Sequence, residues 1–496
     1  MVYNNNSTFL GHPKGAFLLA GTELWERFGF FGMMGLMVHF LTASPVDAGF
    51  GWQAAEAKSL VGSFFAAMWV LPVIGSWFAD RYIGSRRSII VGAVLMMIGY
   101  FTFTLPAMMP HLVEMVSATP VVEPIQQSGV VLGQVWPDED IAAALAQQSA
   151  SMEDSSIVIL AYRLVGISFY LGLLLIAAGN AFFKPCIVAL VGQFYSKGDN
   201  RREGGYTILY LCINFGGLIS NFIVGTLGER LGWHYGFATA GAGMLIGLSF
   251  LLFNQKKIIS GLHESAVSQP LKSANGPIAF SYTERQHFKA IAALMFFTAM
   301  YVATYGQLVG LVNEFVFHRT ERMLWGFEIP ATWYLSLNPL FIIIFGAFLA
   351  GYWQRLENKG ENPPVLLKYF AGMFLISLSF LLLAGAAVQG NAAASGKGHM
   401  LWIVAAYLFF TLGELFIFPI FMALITRLGP ARYSNLSAGL FFFAAGIGSY
   451  ISGQIGTLSD RYGDMTVFSG IASGALLAGL IATTMVGRFN VWIRSD

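Results

Sequence analysis

Three charges stand inside an apolar run. Glu23, Glu26 and Arg27 lie in Glu23-Leu24-Trp25-Glu26-Arg27-Phe28, within a hydrophobic stretch from about Ala16 to Leu41. That stretch is long enough to cross a bilayer as a helix, which takes roughly 20 residues. A charge in the middle of such a helix costs on the order of 2.5–3.5 kcal/mol on insertion scales, so it persists where it faces a protein interior or a watery cavity and has partners. Glu23 and Arg27 are four apart and share a face. Glu26 is one position round and can bond Arg27 or a neighbouring helix. Two readings follow: a self-neutralised packing network, or a proton or ion site lining a substrate path. The second is favoured, because ionisable groups at membrane depth mark pathways and proton relays.

Further polar groups at membrane depth extend that chemistry. Lys184 lies in Gly179-Asn180-Ala181-Phe182-Phe183-Lys184-Pro185-Cys186. A lysine there must pair, change its protonation or meet a ligand, and Pro185 is expected to free backbone carbonyls beside it. Tyr210 and Asn214 share a face four residues apart. Asn214 brings a donor and an acceptor, suited to an amide-bearing ligand or to a hydrogen bond between helices. Glu414 lies in Thr411-Leu412-Gly413-Glu414-Leu415, five residues before Pro419; a lone buried acid suits a proton carrier or a cation-binding group. Arg163 and Glu314, near segment ends, are expected to snorkel to the interface. His39 is of a type that titrates near neutral pH, and is expected to be satisfied or exposed. Cys186 and Cys212 are too few for a disulfide framework and read as packing.

The elements that must position these groups are membrane helices. The chain has 496 residues, 56% hydrophobic and only 11% charged, with mean hydropathy +0.64; soluble domains carry roughly 25% charge. The net charge of +2 gives no reason to expect a nucleic-acid partner. Length and apolarity suggest about twelve spans, near 15–42, 56–79, 88–112, 157–193, 204–228, 234–254, 287–317, 333–354, 363–389, 400–428, 435–458 and 465–487. The fourth and seventh are long and tilt or extend past the bilayer. The first carries charges and lacks a signal-peptide cleavage pattern, so it reads as a retained helix. Lys and Arg gather in the even-numbered connections: Arg81, Arg86 and Arg87, then Lys197, Arg201 and Arg202, then Lys256, Lys257, Lys272 and Arg285, with Arg355, Lys359 and Arg432 later. These connections and both termini are therefore expected in the cytoplasm. The third connection, 113–156, is acidic without Lys or Arg and is expected outside, with a short helix over Ile141–Gln148 and a role as a surface loop or a protein-partner cap.

A polar linker at 255–286 separates a six-helix half, 1–254, from a second, 287–496. Two six-helix halves suggest a secondary transporter with its site between them near the midplane. Gly75 through Arg87 joins the second and third segments and resembles the cytoplasmic signature of the major facilitator superfamily. There Asp80 and Arg81 are expected to latch one conformation; simple positive-inside anchoring is the other reading. Among metal-ligand clusters, phosphate loops and Ser/His/Asp sets, none has plausible spacing, so neither a metal, a cofactor nor an enzyme activity is expected.

Taken together, the motifs resemble the proton-dependent oligopeptide transporter family of that superfamily. They are Glu23-x-x-Glu26-Arg27-Phe28, Phe183-Lys184-Pro185, Gly204-Gly205-Tyr206 through Ile213-Asn214, Trp333 to Asn338-Pro339, and Gly413-Glu414 with Pro419 and Pro430-Ala431-Arg432. The resemblance covers nearly the whole chain apart from 113–156. It implies an all-α membrane protein of two six-helix bundles in the bacterial inner membrane, importing di- and tripeptides with protons by alternating access. It further implies that Arg27 and Lys184 take the peptide carboxylate, that Asn214 bonds the backbone, and that Glu414 takes the amino group. Glu23, Glu26 and Arg27 would couple protonation to closure.

The chain also departs from the family pattern. Phe30 and Phe31 replace tyrosines, Met34 an arginine, Trp69 a pocket tyrosine and Phe441 a tryptophan. In Tyr301-Val302-Ala303-Thr304-Tyr305-Gly306-Gln307, Val302 replaces a tryptophan and Gly306 the glutamate before Gln307; Cys186 replaces an asparagine. Phe30, Met34, Trp69, Tyr210, Gln307 and Phe441 are thus expected to join Arg27, Lys184, Asn214 and Glu414 around the substrate. The alternatives to a peptide symporter are a transporter of a non-peptide zwitterion or anion, and a non-transporting subunit or sensor.

Overall fold

A computed structural model describes residues 8–44, 47–108, 152–195, 199, 201–260, 281–429 and 434–493. The expected short helix Ile141–Gln148, almost all of the 113–156 loop, most of the linker, Pro430-Ala431-Arg432 and the side chain of Asp80 lie outside the described residues. Among the described residues, twelve long helices carry the chain. In the first half they are α1 (Lys14–Thr42), α2 (Ala54–Phe78), α3 (Ser85–Thr102), α4 (Met152–Gly192), α5 (Arg201–Leu231) and α6 (Trp233–Ser260). In the second they are α7 (Tyr282–Tyr305), α8 (Leu337–Asn358), α9 (Val365–Ala392), α10 (Met400–Leu428), α11 (Ser434–Tyr462) and α12 (Asp464–Ile493). Among the described residues ten helical stretches are long and apolar enough to cross a membrane; α1 and α11 are outside that set.

Three expected spans are divided, the third span between α3 and a short turn at Thr104–Ala107. The seventh ends as α7 at Tyr305, passes through a tight turn at Gly306–Leu308 and resumes as Leu311–Arg319. Gly306 and Gly310 flank that break, and glycine is the residue that weakens a helix interior most after proline. The eighth begins with a separate turn, Thr332–Leu335, before α8. Pro339 sits in the first turn of α8, where a missing N–H leaves no helical bond unmade. Pro185 and Pro419, by contrast, lie inside α4 and α10, which run on through them.

Each half has its own apolar core. In the first, α1 packs on α5 and α6, and α4 on α2 and α3; in the second, α9 packs on α10 and α12, and α7 on α11 and α12. The halves meet where α2 lies on α11 and α5 on α8. Trp69 and Tyr305 pack against both cores at once. Close approach of α9 and α10 depends on Gly372 and Gly413: a Cβ on Gly413 would lie 2.5 Å from the Gly372 carbonyl oxygen. Gly413 precedes Glu414, so this contact sets the depth and direction of the acid. Gly413→Ala should lower the melting temperature of the detergent-solubilised protein, because overpacking costs about 1–3 kcal/mol. Gly470→Ala, in open space, should hold or raise it; equal behaviour of the two would contradict this packing.

Candidate functional site

The first half brings four charged side chains together in its interior. Lys184 of α4 pairs with Glu23 of α1, and Arg27 pairs with its neighbour Glu26. Glu23 and Glu26 are completely buried. Arg27 lies 3.8 Å from Glu23, so the i,i+4 pair read from spacing is the longer of its two contacts. The guanidinium also donates to Asn180 Oδ1 at 3.5 Å, while Asn180 Nδ2 donates to the Met68 carbonyl at 2.8 Å. One amide therefore ties α1, α4 and α2 together around Arg27. The guanidinium carbon stands 4.5 Å from the centre of the Phe30 ring and 5.9 Å from that of Phe31, a cation–π arrangement that stabilises a cation away from water. Two acids and two bases make this cluster formally neutral, yet among the described residues Glu23 Oε2 has no hydrogen-bond partner.

The second half contributes one buried acid. Glu414 of α10 accepts from Asn338 Nδ2 at 2.7 Å, and the same amide reaches Thr411 Oγ1 at 3.0 Å. Tyr301 interacts with Glu414 as well. These partners are neutral, so among the described ion pairs Glu414 has no counter-charge. A buried carboxylate without a counter-charge is costly when ionised; a proton or a cationic ligand removes that cost.

Tyr305 links the two sets. Tyr305 lies within electrostatic reach of both Arg27 and Glu414, and Tyr210 of α5 within reach of Glu414. Asn214 donates to the Tyr210 carbonyl at 2.9 Å, holding the amide against its own helix. Aromatic rings pack beside Tyr305: Phe30 stacks on Phe65, Phe65 on Tyr305, and Trp69 on Phe442 with its ring centre 5.8 Å away. Phe441 is buried between Phe418 and Phe442. Met34 is sealed in the first half's core.

Gln307 lies apart from Glu414's immediate partners. Its Nε2 donates to the carbonyls of Ala303 and Ser452, at 3.2 and 2.9 Å, pinning the break after α7 to α11. It lines a narrow cleft with Lys58, Gly306 and Ser452. Lys58, which sequence reading missed, is almost wholly buried there. Its Nζ sits 2.8 Å from Asp460 and 3.0 Å from Glu314, and donates to Ser459 Oγ at 2.7 Å. Glu314, expected to turn outward, is thus held between the halves, and His39, expected to be satisfied or exposed, is buried and stacked on Phe317 with ring centres 4.4 Å apart.

More bonds join the halves at this same end of the bundle. Asn313 Nδ2 donates to the Gly35 carbonyl at 2.9 Å. Glu229 of α5 accepts the backbone N–H groups of Ala331 and Thr332, both at 2.8 Å, and the Thr332 hydroxyl at 2.6 Å. We call it the closed end. Arg81, at the opposite end, is exposed and lies over the rings of Trp77 and Tyr82 at 5.8 Å each. Lysine five residues into an apolar helix looks like an interfacial anchor in sequence, and its partners stand hundreds of positions away; nothing local announces the cluster. Lys58→Ala leaves Glu314 and Asp460 facing each other without a cation. Spin labels at Glu56→Cys and Leu458→Cys should then show a shift to longer distances than in the parent; an unchanged distribution would contradict a role for Lys58 in closure.

The sequence profile of the POT family matches residues 86–274 and 278–469. An uncharacterized transporter of Bacillus subtilis strain 168 is 27% identical over 520 residues, covering 95% of this chain and 93% of the relative. A peptide transporter of Yersinia enterocolitica is 27% identical over 510 residues, covering 90% and 88%. A crystal structure of a peptide transporter POT in complex with sulfate superposes with TM-score 0.78 at 25% identity, covering 98% of this chain and 97% of that one. With that profile spanning most of the chain and both halves of the helical bundle matched, the protein is a member of the POT family.

Proposed function

We propose that this protein is a proton-coupled symporter that imports di- and tripeptides by alternating access, carried by Arg27 and Lys184 in one half facing Glu414 in the other. A peptide zwitterion has a carboxylate and an ammonium group one or two residues apart. The cations on α1 and α4 suit the first, and the acid on α10 suits the second. A ligand bridging them draws the halves together, and Tyr210, Tyr301 and Tyr305 stand between as hydroxyl donors and acceptors.

The coupling follows from competition for Lys184. In the structure Lys184 is engaged by Glu23. A substrate carboxylate takes that lysine only if Glu23 gives it up, and a proton on Glu23 is what releases it. Glu26 and Arg27 repeat the logic one residue along. Asn180 then transmits a shift of Arg27 to α2, the helix that carries Lys58 at the closed end. Phe30, Phe31 and Trp69 favour peptides with apolar side chains. By the distribution of Lys and Arg, the closed end faces outward and both termini face the cytoplasm of a bacterial inner membrane.

The direct test is uptake of a peptide library into proteoliposomes under an imposed proton gradient. Gradient-dependent uptake of apolar dipeptides supports the reading; flux that ignores the gradient, or none with any peptide, contradicts it. Lys184→Ala and Glu414→Gln should each abolish uptake. A second comparison separates stability from transport. Lys184→Met alone leaves Glu23 buried with only the longer Arg27 contact, at a cost of up to about 3–5 kcal/mol. Adding Glu23→Gln should recover most of the lost melting temperature without recovering uptake. Recovery of both would make the pair structural only.

A further inference from the structure

Between the Leu311–Arg319 helix and α8, the chain forms a small hairpin. Met323-Leu324 pairs antiparallel with Phe327-Glu328, and Leu324 faces Phe327 across the ladder. The two-residue turn is Trp325-Gly326, with φ of +50° and +82°. Such a turn needs left-handed backbone at both positions and favours Asn-Gly. A tryptophan there is strained, and strain at a bulky residue points to a use for its side chain. Among the described residues none shields the indole: Trp325 is 97% exposed, and Met323, Leu324 and Phe327 are exposed beside it.

The hairpin's position identifies what covers it. Arg230 of α5 donates to the Glu328 carbonyl and lies over the Phe327 ring at 4.5 Å. Phe327 adjoins Trp333, which adjoins Phe222 with ring centres 4.9 Å apart, and Trp333 Nε1 donates to Thr226 Oγ1 at 2.8 Å. Phe222 and Ile223 are exposed on a helix of membrane-spanning composition, so the hairpin's apolar surface continues directly into surface that meets acyl chains. The depth agrees. The apolar span Gly204–Leu231 has 28 residues, which at 1.5 Å per residue overhangs a hydrocarbon core of roughly 30 Å at each end. Thr226 to Arg230 therefore sit about at the headgroup boundary, and so does the hairpin bonded to them. Its polar side (Glu321, Arg322, Glu328) lies at the strand bases, and its apolar side is the tip. Tryptophan at that level is the membrane-interface residue, with an apolar ring body and a donor N–H.

We infer that the Met323–Glu328 hairpin is a membrane-interface anchor that places Trp325 in the lipid leaflet at the closed end. The anchor belongs to the second half, yet its strand bases are bonded to α5 of the first. Arg322 pairs with Glu328 at 2.8 Å and lies 3.8 Å from Glu229, whose carboxylate holds the Thr332–Leu335 turn. Separation of the halves at this end must pull the hairpin from α5 while the lipid holds its tip.

The inference does not depend on which substrate is carried. Trp325→Cys, in a background with Cys186→Ala and Cys212→Ala, is labelled with an environment-sensitive fluorophore and reconstituted into phosphatidylcholine–phosphatidylglycerol vesicles. Quenching by lipids carrying a nitroxide near the headgroup should exceed severalfold both quenching by aqueous iodide and quenching by a nitroxide at the chain end. Strong iodide quenching with weak lipid quenching would place the tip in water and overturn the anchor. Protection from both quenchers would mean that a second copy or another protein covers it, and would overturn it equally. If Trp325→Cys fails to elute as the parent does, the same measurement at Leu324→Cys decides.

Discussion

Three buried charges and the half-buried Lys184, in an apolar half-protein, have to be mutually satisfied before anything else can be arranged. Glu23 with Lys184, and Glu26 with Arg27, bring α1 and α4 to one place; Asn180 binds α2 to the same point. Breaking either pair leaves a charge in a medium of low dielectric, at a cost comparable to a large share of a domain's stability. That penalty makes the cluster a device with discrete states. A proton or a ligand carboxylate can replace a partner, but empty space cannot. Glu414, with neutral partners only among its described contacts, is the complementary case. A proton or a positive charge would satisfy it, and in the proposed reading the ligand that bridges both sets carries one charge of each sign.

The closed end supplies the second requirement of alternating access, a set of contacts that can be made and released as a unit. Lys58 with Glu314 and Asp460, Asn313 with Gly35, and Glu229 with the Thr332 turn are each polar and each join the two halves. Polar contacts are suited to reversible closure because water can substitute for every partner once the halves part. The backbone approach of Gly62 to Gly453 beneath them permits the tight fit without interlocking side chains. The break after α7 at Gly306, pinned by Gln307, brings Glu314 back toward Lys58.

Much of this was legible in the sequence because the membrane simplifies the signal. Each of the twelve expected spans is built on a long helix, and the charged groups on α1, α4 and α10 were found because ionisable residues in apolar runs are rare. The pairing was less legible. Spacing offered Glu23 with Arg27 and left Glu26 to bond Arg27 or a neighbouring helix; Glu26 is the nearer partner of Arg27 and Glu23 goes to the distant Lys184, because side-chain length and helix packing decide contacts that i,i+4 geometry merely permits. Met34 and Gln307 share a stripe or a motif with the polar residues, yet one is buried in a core and the other spent on backbone carbonyls. Lys58, Asp460 and Glu229 sit near helix ends, where charge is ordinary, and only tertiary contact distinguishes them from anchors. Trp325 is similarly unremarkable in sequence; its left-handed backbone and bare indole appear only in three dimensions.

The central claim is that a proton on the α1–α4 cluster frees Lys184 for the substrate carboxylate. The measurement that tests it most directly is proton movement driven by peptide alone. In vesicles enclosing a pH-sensitive dye, without an imposed gradient, adding an apolar dipeptide outside should acidify the interior, and Glu23→Gln should admit or exchange peptide without acidification. Entry of peptide into parent vesicles with no change in internal pH, or full acidification by Glu23→Gln, would contradict it.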